Sequence, residues 1–359
     1  MVNQMKEYIM FSMKVNRLKK GLPLMVSPYM KDLIEKTGGV DGPIGKQFIK
    51  SPLEDVEINE ADPQMEQTFE PEEAPGMIYK YKGEIDVNGK VTYYGRVLWT
   101  ISRFCATYCR FCFRGRMVGL ASNEEGISKD VLAHKTYLSE ANIDKCIDFL
   151  KQHREINEVI LSGGDPMIGS EKYLTHIFNY LQQLQQEGYI SLVRIHTRAP
   201  VTNPVSIKES HFDLLKTVTN PYVVLHINHP AEITEEVTTI TNRMRSNGAL
   251  LLSQSVLLKD VNDNIETLTE LFNTLTINGI RPYYLHQNDP VSWAQHFTVP
   301  IPQAIMLWQK LRPRLSGIAD SVKFVIDTPH GVGKVVVPEG GWDVDYSHYY
   351  DFKGKKFNV

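Results

Sequence analysis

The chain is poor in cysteine and has no excess of charge of either sign. Its 359 residues contain four cysteines, and 39 Lys and Arg against 42 Asp and Glu leave a formal net charge of -3. So few cysteines make a poor disulfide framework for a chain of this length. The lack of a basic excess argues against a nucleic-acid or membrane surface. No apolar run reaches the length of a signal peptide or a membrane span. We therefore expect a cytoplasmic protein whose partner is a small molecule or another protein.

The first 90 residues lack a regular pattern of strands and helices. Prolines interrupt short helical stretches, and acidic residues cluster in residues 54–73. This composition predicts an irregular, partly helical N-terminal extension, residues 1–90, that wraps the rest of the chain as a solvated segment. The prolines are Pro23, Pro28, Pro43, Pro52, Pro63, Pro71 and Pro75.

Short apolar runs separated by helix-length amphipathic segments begin at Val97. The runs that predict buried strands are residues 97–101, 158–162, 192–196, 223–227, 250–256 and 282–286. The clearest predicted helices between them are residues 173–186, 233–245 and 265–275. Alternating strands and helices require a parallel sheet with crossover connections. Six such units predict an α/β fold, a partial (β/α)6 barrel over residues 91–290, with reactive groups at the carboxyl ends of the strands.

A shorter segment follows the predicted barrel. A helix around residues 303–315 and a strand at residues 322–326 predict a short C-terminal α/β extension, residues 291–359. The sequence contains no internal repeat and no low-complexity tract.

Three of the four cysteines, Cys105, Cys109 and Cys112, lie within eight residues directly after the first predicted strand. Three thiolates can hold three irons of a [4Fe-4S] cube and leave the fourth iron open to a small-molecule ligand. A structural zinc site needs a fourth ligand, and the nearest histidine, His134, is 22 residues downstream. Cys146 recurs with apolar residues at helical spacing, so we expect it in the core.

A glycine pair ends the second predicted strand, in the sequence Ser162-Gly163-Gly164-Asp165. Glycines let backbone groups approach a ligand closely, because no Cβ intervenes. A plain turn after a strand is the other interpretation of this pair. Gln254, at the end of the fifth predicted strand, is either a ligand contact or a structural buried amide.

Lys334 ends a glycine-rich turn after the strand predicted at residues 322–326. The turn is not a phosphate-binding P-loop, because Val335 stands where the magnesium-binding hydroxyl is required. A lysine presented in this way suits covalent attachment of pyridoxal phosphate. From the residues alone, a surface lysine in a turn remains open.

The cysteine spacing, with an aromatic residue before the last cysteine, resembles the cluster loop of the radical S-adenosylmethionine superfamily. A longer series of motifs, over roughly residues 27–340, resembles the lysine 2,3-aminomutase family within it. These motifs are the cysteine loop and residues 161–166, 194–198, 226–230, 254–258, 283–289 and 327–334. The resemblance implies three cofactors: a [4Fe-4S] cluster, S-adenosylmethionine and pyridoxal 5'-phosphate.

Roles for single residues follow from the same resemblance. It implies that Lys334 is the pyridoxal phosphate lysine and that Arg96 binds the phosphate, although Arg96 could also be an ordinary strand-edge arginine. It further implies that Cys105, Cys109 and Cys112 ligate the cluster. The residues implied to bind S-adenosylmethionine are the segment Ser162, Gly163, Gly164 and Asp165, together with Gln254 from a later strand.

The resemblance also implies a substrate site with opposite charges at its two ends. Arg114 would hold a carboxylate through its guanidinium fork, and Asp289 and Asp327 would hold a distal ammonium. Two carboxylates at one site repel each other unless a cation lies between them, which favours a cationic substrate side chain. Without the family, either aspartate alone could be a turn or helix cap.

The implied function is an isomerase, a radical enzyme that moves the α-amino group of L-lysine to C3 and forms L-β-lysine. Segments 109–114 and 226–229 also resemble the subfamily that modifies a lysine of translation elongation factor P. A 2,3-aminomutase for another amino acid and a non-catalytic iron–sulfur or zinc-binding regulatory protein stay open. The family implies an electron donor such as flavodoxin or ferredoxin. Family members that use lysine often carry a cysteine-rich C-terminal tail that binds zinc and links subunits. No cysteine follows Cys146 in this sequence, so we expect any homo-oligomer to form without such a tail.

Overall fold

A nine-stranded, mostly parallel sheet is the centre of the fold. The computed structural model describes residues 22, 24–57, 62–64, 66–79, 83–85, 91–93, 95–118, 138–328, 333–339, 348–350 and 355–358. The strands are β1 (Met77–Ile78), β2 (Gly83–Ile85), β3 (Val91–Tyr93), β4 (Gly95–Ser102), β5 (Ile156–Gly163), β6 (Leu192–Thr197), β7 (Tyr222–His226), β8 (Leu250–Leu257), β9 (Arg281–Gln287), β10 (Lys323–Asp327), β11 (Lys334–Val336), β12 (His348–Tyr350) and β13 (Lys356–Asn358). The order of the strands in the nine-stranded sheet is β1-β4-β5-β6-β7-β8-β9-β10-β11.

Strands β4 to β10 run parallel to one another, and β1 and β11 close the two edges in antiparallel pairing. The two edge strands do not pair with each other, so the sheet is an open, partial barrel. This arrangement confirms the predicted α/β partial barrel, and all six strands predicted for it are present. Separate two-stranded ribbons form from β2 with β3 and from β12 with β13.

Most of the helices pack against the sheet and share its hydrophobic core, whereas the first two pack in a separate cluster beside the cysteine loop. They are α1 (Pro28–Lys36), α2 (Pro43–Phe48), α3 (Glu140–Gln152), α4 (Glu171–Gln186), α5 (Ala199–Thr202), α6 (Glu209–Thr217), α7 (Glu235–Ser246), α8 (Ile265–Ile277) and α9 (Ile301–Leu311). Helix α4 shows how the sequence forms them. Ser170 caps its first turn by accepting a hydrogen bond from the Tyr173 amide. Its stripe of Leu174, Ile177, Leu181 and neighbouring apolar residues is buried against the sheet.

Two predicted elements differ from the structure near the C-terminus. The predicted helix at residues 303–315 ends earlier, at Leu311, and continues as a short 3-10 turn, Arg312–Arg314. Pro313 has no amide hydrogen to continue the α-helical pattern, which explains the early end. The strand predicted at residues 322–326 is β10, which pairs parallel with β9 as a seventh parallel strand of the same sheet.

The acidic N-terminal segment differs from the solvated segment that its composition predicts. Glu54 and Glu66 are 3% and 0% exposed. Each pairs with an arginine of the cysteine loop, Glu54 with Arg110 and Glu66 with Arg114. A buried carboxylate is stable only when it is paired. The extension is therefore irregular and partly helical as predicted, but it packs into the protein through charge pairs.

Cys146 lies in the main hydrophobic core, as its helical spacing predicts. It is fully buried in α3, and its thiol donates to the Pro75 carbonyl at 3.2 Å. Within the part of the chain that the structure describes, no helix is both long and apolar enough to cross a membrane.

Candidate functional site

A single pocket at the carboxyl edge of the parallel strands gathers the candidate residues. All thirteen line it: Arg96, Cys105, Cys109, Cys112, Arg114, Ser162, Gly163, Gly164, Asp165, Gln254, Asp289, Asp327 and Lys334. They come from segments far apart in sequence. The carboxyl ends of parallel strands meet at the same edge of a sheet, so the loops that follow them line one pocket. Residues within the strands, such as Arg96 of β4 and Gln254 of β8, line it as well.

The cysteine loop follows β4 and is fixed by the N-terminal extension. The amides of Tyr108 and Arg110 donate to the carbonyls of Met25 and Gln47. The side chain of Arg110 is fully buried against Glu54, with Nε 2.9 Å from Oε1. The loop is therefore held from outside the barrel, while its three cysteines face the pocket.

The three thiols are free and partly buried. Burial raises the pKa of Cys105 well above its usual value and that of Cys112 to about 12. Burial also raises the pKa of Cys109, against the opposing effect of Arg198. Deprotonation of such thiols requires a nearby positive charge, which bound irons provide.

The thiols do not converge on one point. Among the described residues, no three His, Cys, Asp or Glu side chains could hold a single metal ion. A [4Fe-4S] cube takes one thiolate per iron, so it does not require that convergence. Three free thiols on one loop beside a pocket fit such a cluster.

The glycine pair leaves no room for side chains. A Cβ on Gly163, whose φ is +120°, would lie 2.2 Å from the Ser102 carbonyl oxygen. A Cβ on Gly164 would lie 2.4 Å from the Phe104 carbonyl oxygen, directly before Cys105. Only glycine therefore lets the end of β5 pack against the cysteine loop.

Asp165 acts as a local anchor. Its carboxylate accepts hydrogen bonds from Thr197 Oγ1 at 2.7 Å and from the amides of Met167, Arg198 and Ala199. Burial raises its pKa, while these hydrogen bonds act in the opposite direction. The carboxylate therefore fixes the start of the segment after β6. Its predicted contact with a cofactor stays a prediction.

Arg114 and Asp289 are both contacted by the N-terminal extension. Glu66 accepts from Arg114 Nε and Nη2, each at 2.8 Å, and Ser162 Oγ accepts from Nη1 at 2.9 Å. Gln64 Nε2 donates to Asp289 Oδ1 at 2.8 Å. Sequence reasoning did not identify Gln64 or Glu66, because they lie in a polar segment without periodicity.

Lys334, Asp327 and His286 form a connected group at the C-terminal side of the pocket. Lys334 Nζ contacts Asp327 Oδ1, and His286 Nδ1 lies 2.9 Å from Asp327 Oδ2. Burial alone would raise the pKa of Asp327, but His286 and Lys334 hold it below its usual range. Lys334 is therefore a pocket residue paired with a carboxylate, which does not match the alternative of a plain surface lysine. Most of the turn that precedes Lys334, residues 329–332, lies outside the described residues.

Seven further arginine, histidine and tyrosine residues line the pocket, and no role was assigned to them from the sequence. They are Arg194, His196, Arg198, His226, Tyr283, Tyr284 and His286. All belong to motifs that carry the resemblance. His196, His226 and His286 lie at or next to the last residue of their strands and Arg198 directly follows β6, whereas Arg194, Tyr283 and Tyr284 lie within strands. For the first four, a polar residue at the end of an otherwise apolar strand was the available signal. Among the described residues, His196 Nε2 has no hydrogen-bond partner, so it is available to a bound group.

Comparisons with known proteins identify the relatives of this sequence. The sequence pattern of the radical SAM superfamily matches residues 99–286. The L-lysine 2,3-aminomutase of Clostridium subterminale is 32% identical over 345 residues, which cover 94% of this chain and 74% of the relative. The L-lysine 2,3-aminomutase of Escherichia coli is 33% identical over 302 residues, which cover 83% and 79%. A crystal structure of a radical SAM methyltransferase from Sphaerobacter thermophilus has a TM-score of 0.45 at 17% identity, covering 67% of this chain and 71% of that one.

Proposed function

This chain belongs to the radical SAM superfamily and, within it, to the lysine 2,3-aminomutase family, and from that premise we propose that it converts L-lysine to L-β-lysine. It is an enzyme of the isomerase class. The finer proposal is that pyridoxal phosphate binds Lys334 and that free L-lysine is the substrate, whose α-amino group moves to C3.

The cofactors follow from the family. The superfamily implies a [4Fe-4S] cluster and S-adenosylmethionine, and the aminomutase relatives imply pyridoxal phosphate. When bound, the cluster and S-adenosylmethionine supply a radical that abstracts hydrogen, and pyridoxal phosphate carries the migrating nitrogen.

The residues present fit these groups. Cys105, Cys109 and Cys112 would hold three irons. The glycine pair with Ser162 and Gln254 would hold S-adenosylmethionine, since all four line the pocket beside the cysteine loop. Lys334 and Arg96 would hold pyridoxal phosphate.

The contact between Lys334 and Asp327 is the observation that carries the substrate proposal. It pairs an ammonium with this carboxylate inside the pocket. While Lys334 carries the cofactor, before the substrate takes its place, Asp327 lacks that cation and keeps only His286 at its other oxygen. The ε-ammonium of the entering lysine would supply the missing charge, because a buried carboxylate that loses a charged partner is unfavourable.

Arg114 supplies the opposite charge. It lies in the same pocket as Asp289 and Asp327, and Glu66 fixes its guanidinium through two parallel hydrogen bonds. A guanidinium held in one orientation loses little side-chain entropy when it binds a carboxylate. Positive charge at one end and two carboxylates at the other match an amino acid with a cationic side chain.

The proposal includes an electron donor and a cellular compartment. Reduction of the cluster needs a one-electron donor of the flavodoxin or ferredoxin type. We assign the enzyme to the reducing cytoplasm, where such a cluster survives. The division into residues 1–90, 91–290 and 291–359 stays a prediction, as does assembly into an oligomer.

Product analysis tests the function. The protein is reconstituted anaerobically with iron, sulfide and pyridoxal phosphate, reduced in the presence of S-adenosylmethionine, and incubated with a panel of free amino acids. We expect L-β-lysine from L-lysine and no product from glutamate. The matched control is Lys334→Ala, which should lose the visible absorbance of bound pyridoxal phosphate and the amino shift. Rearrangement of glutamate, or turnover only of a lysine on a folded protein, would replace the proposal by one of the alternatives.

A further inference from the structure

Arg198, directly after β6, contacts one of the three loop cysteines. Its Nη1 donates to Cys109 Sγ at 2.8 Å. Arg198 is 7% exposed, and its guanidinium lies over the rings of Phe48 and Phe111 at 4.6 and 5.4 Å. Among the described residues, Cys105 and Cys112 accept no hydrogen bond from a charged side chain. The positive charge is therefore fixed beside one particular sulfur.

A buried carboxylate holds Arg198 from the other side. Its Nη2 donates to Glu232 Oε1 at 2.5 Å and to Gln47 Oε1 at 2.6 Å. Glu232 is 0% exposed, and its second oxygen accepts from the amides of Asn228 and His229. Both charged side chains are thus fixed by hydrogen bonds, and Arg198 connects Glu232 to the Cys109 sulfur.

Fixed charges and hydrogen bonds at ligand sulfurs set the reduction potentials of iron–sulfur clusters. Reduction adds one electron to the cluster, from the 2+ to the 1+ level, while no bond breaks and no proton moves. A positive N–H donor at a ligand sulfur stabilises the added electron. A carboxylate behind that donor reduces its effect, and low polarity around the group strengthens both contributions.

We propose that Arg198 is a positioning residue that acts through Cys109 to raise the reduction potential of the cluster, and that Glu232 limits this effect. The inference rests on the proposed binding of the cluster by Cys109 and goes beyond it, because it assigns the pair a role in cluster reduction. A low-potential one-electron donor supplies the electron.

The test is an anaerobic redox titration of the reconstituted full-length protein without S-adenosylmethionine or substrate. Dithionite with low-potential viologen mediators serves as the reductant, and electron paramagnetic resonance measures the reduced fraction. Iron and sulfide content are determined for each sample. At the midpoint of the wild type, Arg198→Gln should lower the ratio of reduced to oxidised cluster about tenfold, a shift of about 59 mV for one electron. Arg198→Lys should give a smaller decrease, because it keeps the charge.

Glu232→Gln is the discriminating variant. It removes the negative charge and keeps the shape, so it should raise the same ratio. Arg243→Gln is the control, because Arg243 also pairs with a glutamate, Glu209, and lies over an aromatic ring, that of Phe212, but does not line the pocket. It should change the ratio by less than about twofold.

Opposite shifts for Arg198→Gln and Glu232→Gln support the inference, because a purely structural role would not reverse sign. Shifts in the same direction, or none at full iron content, overturn it. Loss of iron from both Arg198 variants with no upward shift in Glu232→Gln overturns it as well and leaves a structural role. Absence of a cluster from the wild type would instead contradict the proposed function itself.

Discussion

At the scale of single residues, each of the three loop cysteines is proposed to ligate one iron of the cluster. We expect Cys105→Ala, Cys109→Ala and Cys112→Ala each to abolish cluster assembly and turnover, because two thiolates do not anchor a cube stably. Iron analysis and the visible spectrum after anaerobic reconstitution measure this. Cys146→Ala is the matched control, since Cys146 lies in the hydrophobic core. It should cost about 1 kcal/mol in packing and leave the iron content unchanged. Full iron content in the triple variant would contradict the ligand assignment.

The two pocket aspartates, Asp289 and Asp327, are each proposed to pair with the ε-ammonium of the substrate. In Asp289→Asn or Asp327→Asn, the ε-ammonium of lysine would be left under-paired in a desolvated site. The expected loss in transition-state binding is about 2–5 kcal/mol, which corresponds to a fall of about 30-fold or more in kcat/KM.

Steady-state kinetics with L-lysine check this expectation, and bound pyridoxal phosphate absorbance shows that the cofactor site remains. Asp320→Asn is a suitable control, because this aspartate pairs with Arg312 and does not line the pocket. A change below about threefold in both pocket variants would mean that these carboxylates do not bind the ammonium.

At the scale of secondary-structure elements, the cysteine loop is positioned by close packing against the end of β5. In Gly164→Ala, the new Cβ would lie 2.4 Å from the Phe104 carbonyl oxygen, so the backbone beside Cys105 must move. Such overpacking costs about 1–3 kcal/mol. We expect a lower Tm and a lower iron content after reconstitution.

Gly317→Ala provides the control for this packing. No atom lies within 4 Å of its added Cβ, so its stability should change by no more than about 0.5 kcal/mol. Equal Tm and iron content for the two alanine variants would show that the glycine at 164 is not required for packing.

At the scale of the whole molecule, two pocket histidines, His196 and His226, make the stability depend on pH. Burial, with nearby arginines, holds the pKa of His196 and His226 well below the ordinary value of 6.5. Below about pH 6.5 the unfolded chain binds a proton at each ring and the folded chain does not. The free energy of unfolding therefore falls as pH falls, by about 1.4 kcal/mol per pH unit for each histidine.

Denaturant unfolding of the cluster-free protein at about pH 7 and about pH 5.5 measures this loss. His226→Asn removes one of these two rings, so the stability of the variant should depend less steeply on pH than that of the wild type. An identical pH dependence in wild type and variant would show that His226 does not titrate in this way.

The sequence, with the family resemblance that it carries, determined the six barrel strands and thirteen of the residues that line the pocket. Apolar periodicity and length predicted the six barrel strands, because these signals are local. Loops after parallel strands meet at one edge, so Cys105, Gly163, Gln254 and Asp289 could be expected together, and they do line one pocket. Their assigned roles remain predictions, since a pocket without its ligands does not distinguish cofactor contacts from structural ones.

Only the tertiary structure decided which charges are paired. Glu66 reaches Arg114 across 48 positions, Arg198 reaches Cys109 across 89, and Gln64 reaches Asp289 across 225. No local pattern encodes such partners. The sequence of an acidic segment predicts exposure to solvent, because charged side chains are usually exposed. Glu66 is buried instead because folding brings a guanidinium of the cysteine loop to it, and the pair offsets the cost of desolvation.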